Sequence, residues 1–182
     1  YLWGYFFVEL KEQKIYLRGE MDYKVYYKDW REKSSDLNGV FPEEFSLSHL
    51  TEASRYLFHY ADFGDLQMVK ACLLDAADVN ARMGGEKFTP IMFAAMKGHF
   101  NVCKFLIQEG VDILAKTSDS TPVIIWSVWN YGRVEIIKLL VEMGADINSI
   151  FKEEEKSVLT LACKNNNEKI ALFLLEQGVD LF

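Results

Sequence analysis

The residues able to do chemistry are few: three histidines, His49, His59 and His99, and three cysteines, Cys72, Cys103 and Cys163. None of the histidines stands beside a nucleophile motif, as covalent or acid–base catalysis would require. His99 and Cys103 are four residues apart, which would put two metal ligands on one helical face, but a zinc site needs more ligands than two. Each cysteine sits inside an apolar block rather than in a Cys-x-x-Cys step. Reduced, buried thiols in a cytosolic setting are the expectation. Gly84-Gly85-Glu86-Lys87-Phe88-Thr89 looks superficially like a phosphate loop, yet it lacks the Gly-Lys-Ser/Thr step and a preceding buried strand. A glycine-bearing turn accounts for it better. The densest charge run, Glu153-Glu154-Glu155 between Lys152 and Lys156, is either a solvated loop or a contact for a basic partner. No catalytic residue, cofactor or metal is expected.

The elements that hold these residues announce themselves by repetition. Thr89-Pro90-Ile91-Met92-Phe93-Ala94-Ala95-Met96-Lys97-Gly98-His99 returns about thirty-two residues later as Thr121-Pro122-Val123-Ile124-Ile125-Trp126-Ser127 and again as Ser157-Val158-Leu159-Thr160-Leu161-Ala162-Cys163. An earlier copy starts near Arg55. Behind each opening comes a second apolar block, Met68 to Leu74, Val102 to Ile107, Val134 to Val141 and Ile170 to Leu175. A Gly/Ala-x-Asp step then closes the unit at Ala76-Ala77-Asp78, Gly110-Val111-Asp112, Gly144-Ala145-Asp146 and Gly178-Val179-Asp180.

On these motifs, residues 54 to 182 resemble the ankyrin repeat family, whose unit opens Thr-Pro-Leu-His-x-Ala-Ala, continues Gly-His and ends Leu-Leu-x-x-Gly-Ala-Asp-x-Asn. Departures accompany the match. The family histidine is Phe58, Met92, Ile124 and Thr160 here, so its hydrogen bond to threonine is expected to be missing throughout, and Gly-His survives only as Gly98-His99. The resemblance implies a mainly α fold, an α-solenoid of four units at about 53–86, 87–118, 119–154 and 155–182. Each unit would be two antiparallel helices and a finger. First helices are expected at about 55–63, 89–97, 121–129 and 157–165, and second helices at about 66–75, 100–109, 133–142 and 167–176. Gly110, Gly144 and Gly178 would end the second helices in a left-handed conformation.

Ahead of the repeats, residues 1–52 carry aromatic and β-branched runs at 2–10 and 14–18 and an alternating run at 23–30, which read as two or three strands. A helical reading of the third run stays open, because Tyr23, Tyr26, Tyr27 and Trp30 fall at helical spacing. So small a sheet is marginal alone, and it is expected to pack as a β-rich cap on the exposed end of the first unit.

The chain has 182 residues, half of them hydrophobic, with a formal charge of -7. That is ample for a core, and it argues against nucleic-acid binding, which needs a clustered basic surface. The apolar opening Tyr1 to Leu10 contains Glu9 and is too short to span a bilayer, so no membrane anchor or export signal is read there.

A protein partner remains, neutral or basic. The resemblance places its contacts on first-helix positions and finger tips: His59, Asp62 and Phe63; Phe93, Met96 and Lys97; Ile125, Val128 and Trp129; Leu161, Lys164 and Asn165; and the finger acids Glu153, Glu154 and Glu155. Trp129 is expected to be an exposed anchor and Trp126, three residues before it, a core residue. The reading is a non-enzymatic cytoplasmic interaction module, acting as an inhibitor or immunity partner or as a bacterial effector inside a host. The alternative is the regulatory fragment of a larger enzyme or channel.

Overall fold

A computed structural model describes residues 50–129, 132–151 and 155–180. The expected N-terminal strands and cap, His49, Glu153, Glu154 and the final Leu181-Phe182 lie outside the described residues.

The described chain is built from paired helices. They are α1 (Glu52–Phe63), α2 (Leu66–Leu74), α3 (Pro90–Met96), α4 (Phe100–Gln108), α5 (Val123–Val128) and α6 (Val134–Glu142). A two-stranded hairpin follows, β1 (Ile150–Phe151) with β2 (Lys156–Ser157), and then α7 (Val158–Lys164) and α8 (Glu168–Glu176). Odd-numbered helices stack on one another in chain order, and even-numbered helices form a second layer beside them. The result is an α-solenoid in which each pair buries its apolar face on its neighbours.

Local chemistry sets the helix ends. Thr51 and Ser157 accept from the backbone N–H of Ser54 and Thr160, each at 3.2 Å, and Asp65 takes the N–H groups of Gln67 at 3.0 Å and Met68 at 3.1 Å. Each satisfies a donor that the helix cannot. Pro90 opens α3, where its missing N–H costs nothing, while Pro122 stands one place earlier, as the N-cap of α5. The left-handed termini fall where expected, at Gly110, Gly144 and Gly178 with φ of 82°, 96° and 77°.

One continuous core runs through all four pairs, with Leu57, Ile91, Ile124, Ile137, Leu161 and Leu174 among its buried members. A second cluster lies to one side of it and unites Phe58, Ala81, Met83, Phe93 and Met96, with Leu50, Phe88, Trp126 and Trp129 packed against it. The glycine-bearing segment of the first finger forms a turn. Met83 and Phe88 exchange backbone hydrogen bonds of 2.8 and 3.1 Å across it, with Gly84 and Lys87 at positive φ.

Candidate partner-binding surface

Matching the four units residue for residue puts Phe63, Lys97, Trp129 and Asn165 at the same place, just past the last buried turn of each first helix. Their environments differ. Phe63 is 64% exposed, and its ring stacks on His59 at 6.2 Å. Burial of His59 lowers its pKa. Lys97 reaches back to Asp62 at 3.6 Å. Burial raises the Asp62 pKa, and the charges of Lys97 and His99 oppose that rise. Trp129 is half-buried, with its ring edge-on to Phe151 at 5.1 Å. The Asn165 amide donates to the carbonyls of Val128 and Trp129 at 2.9 and 2.6 Å, closing the end of α5.

Several expected surface residues are not on the surface. Phe93, Met96, Ile125, Val128 and Leu161 are buried: Phe93 and Met96 in the side cluster against which Phe88 and Trp126 pack, and Ile125, Val128 and Leu161 in the main core. Phe58, Phe93, Phe88, Trp126, Trp129 and Phe151 form a run of ring contacts with centroids 4.9 to 6.0 Å apart. The expected concave aromatic row is therefore largely spent on the protein itself. Trp126 is a half-buried member of this run rather than a full core residue, and its indole N–H is buried without an acceptor. Trp129, expected to be exposed, is held in the same run. Lys164 and Glu155 are exposed.

The loss of the family histidine has visible consequences. The Thr89 hydroxyl is buried without a partner. In the third unit Asp119 substitutes, accepting from the Thr121 hydroxyl at 2.6 Å and from that of Thr117. Desolvation pushes the Asp119 pKa up, but the hydrogen bonds from Thr117 and Thr121 outweigh it and hold the carboxyl below its ordinary value. In the fourth unit the hydroxyls of Ser157 and Thr160 lie 3.0 Å apart, so a hydroxyl pair stands where the threonine–histidine bond was expected to be lost.

Sequence reasoning missed the groups that tie one finger to the next. The N–H of Asp112 donates to Asn80 Oδ1 at 2.7 Å and that of Asp180 to Asn148 Oδ1 at 2.9 Å, while Asp78 N–H finds the Ser54 hydroxyl at 3.0 Å. Between the first two fingers Arg82 also donates to the Lys116 carbonyl at 2.9 Å, and Ser118 binds the Glu86 carbonyl at 2.9 Å and its carboxylate at 2.5 Å. Comparing the Asp-x-Asn steps at 78–80 and 146–148 with Asp112-Ile113-Leu114 would have exposed both the device and its interruption.

The two interior thiols are no nucleophiles in waiting. Burial pushes both Cys72 and Cys103 up to about 12, whereas Cys163 is exposed rather than buried as expected. His99 Nε2 donates to the Asp62 carbonyl at 2.9 Å. Among the described residues no three His, Cys, Asp or Glu side chains gather as a metal site would require, and no helix there is long and apolar enough to cross a membrane.

The family model for ankyrin repeats in three copies matches residues 57–151. Among curated proteins, the ankyrin repeat and KH domain-containing protein mask-1 of Caenorhabditis elegans is 31% identical over 108 residues, 57% of this chain and 4% of that protein. A transient receptor potential cation channel subfamily A member 1 homolog from the same organism is 28% identical over 107 residues, 59% of this chain and 8% of its own length. The alpha-latroinsectotoxin-Lt1a of Latrodectus tredecimguttatus is 25% identical over 153 residues, covering 79% of this chain and 11% of the toxin. The chain thus spans only a small part of these relatives.

Proposed function

The chain belongs to the ankyrin repeat family, and from that premise we propose that it is a non-enzymatic, cytoplasmic protein-interaction module. A pre-formed stack loses little ordering entropy when it binds. Its partner would meet the row Phe63, Lys97, Trp129 and the neighbouring Lys164, with the acidic finger at Glu153, Glu154 and Glu155 as a flanking contact. The observation that carries this reading is Phe63, a large apolar ring 64% exposed at the end of a capped helix. Aromatic residues so placed are enriched where partners dock. The net charge of -7 favours a neutral or basic partner.

Affinity capture from the native source with wild type and Phe63→Ala in parallel tests this. An exposed side chain contributes little to stability, so the variant should melt within a few degrees of wild type. Its affinity for the captured protein should fall by about 2 kcal/mol if Phe63 is a hot spot. Equal capture by both chains would remove Phe63 from the binding surface. A second reading, a regulatory part of a larger enzyme or channel, is favoured by the similarity to an 8% stretch of the channel homolog.

A further inference from the structure

The link from each finger's aspartate N–H to a side-chain oxygen is interrupted at one place among the described residues. Asp78, Asp112 and Asp180 donate to Ser54, Asn80 and Asn148. The equivalent of Asn80 facing Asp146 is Leu114, which has no acceptor and turns outward, 61% exposed. The interruption coincides with a cleft of about 220 Å³ between the second and third fingers, lined by Leu114 itself together with Ile113, Pro122, Ile124 and Ala145. A more open recess of about 420 Å³ continues it toward Asn148 and Ile150, with Lys116 and Asp146 on the rim of both.

We propose that this cleft receives an extended segment of a protein partner bearing a primary carboxamide, Asn or Gln, beside an aliphatic side chain. The proposal rests on the protein-binding reading above and gives that partner a second point of contact. The chemistry is set by what fills the same place one unit earlier. There the Asn80 amide accepts from Asp112 N–H and donates to the Gly110 carbonyl at 2.7 and 3.5 Å. Among side chains, a primary carboxamide presents a separate acceptor and donor on one edge. A carboxylate could not donate to the carbonyl of Gly144, which corresponds to Gly110, and it would sit beside the carboxylate of Asp146. The apolar floor then accommodates the neighbouring aliphatic group.

A phage library of random nine-residue peptides, selected on the immobilised full chain, is the probe. Enriched peptides should share Asn or Gln next to Leu, Ile or Val. Leu114→Asn supplies the missing amide from within. It should raise the melting temperature by a few degrees and weaken the selected peptides about tenfold, the loss of a hydrogen bond and part of the apolar contact. Leu114→Ala, which supplies no amide and loses only apolar contact, should weaken them less than Leu114→Asn does. Phe63→Ala should also bind them unchanged. Failure to enrich any such peptide, or equal binding to Leu114→Asn, overturns the cleft. Binding lost with Phe63→Ala but kept with Leu114→Asn overturns it too, while leaving the protein-binding reading in place.

Discussion

At the scale of single residues, the three cysteines divide sharply by burial. Thiolate is the reactive species, and with both interior thiols held near 12 an aromatic disulfide reagent at neutral pH should modify Cys163 alone. Cys72 and Cys103 should react only after denaturant is added. Two or three equivalents consumed by the native chain would mean that the stack opens far more readily than its core implies. His59 carries a pH dependence of known sign. Its folded pKa lies below the ordinary value because burial disfavours the cation. It therefore contributes stability that is present above about pH 6.5 and is lost as the pH falls through the lowered value.

At the scale of elements, the joint between α1 and α3 shows how one preserved dipeptide fixes two units. His99 reaches over Gly64 to the Asp62 carbonyl at 2.9 Å, and a Cβ on Gly64, whose φ is +82°, would collide with the imidazole. Gly64→Ala should cost about 2 to 4 kcal/mol, combining left-handed strain with overpacking. His99→Ala should cost about 1 kcal/mol for its hydrogen bond. Because removing the ring relieves the collision, the double variant should be more stable than the sum of the singles in denaturant unfolding. Strict additivity would mean that the ring is free to move aside.

Helix positions of this kind were legible because the repeat fixes them. The Pro90 start and the Gly110, Gly144 and Gly178 ends are written in residues with one good conformational use each. Exposure was not legible. Register alone places Phe93, Ile125 and Val128 on the first helices; it does not say that Phe88 and Trp126 pack against the cluster holding Phe93 or that Ile125 and Val128 are buried in the main core. Packing across units decides that, and it is not a property of any one motif. Asn165 misled for a related reason: an exposed polar side chain on a first helix turned out to be a cap for the helix before it.

For the whole molecule, an end of a solenoid is stable only when covered. Leu50, where the described residues begin, packs onto the cluster of Phe58, Met83 and Phe93. If residues 1–40 form the cap, their deletion should lower the melting temperature and promote aggregation, checked by thermal melts and light scattering. A truncated chain that melts unchanged and stays monomeric would sink the idea. The same deletion removes Trp3 and Trp30, so that of four tryptophans only Trp126 and Trp129 remain. Their rings are 5.8 Å apart, and Trp126 lies 4.9 Å from Phe88 in the finger before it. The aromatic run thereby becomes an optical gauge: indole emission and near-ultraviolet dichroism of the shortened chain read whether the second and third units are still docked, with no dye attached.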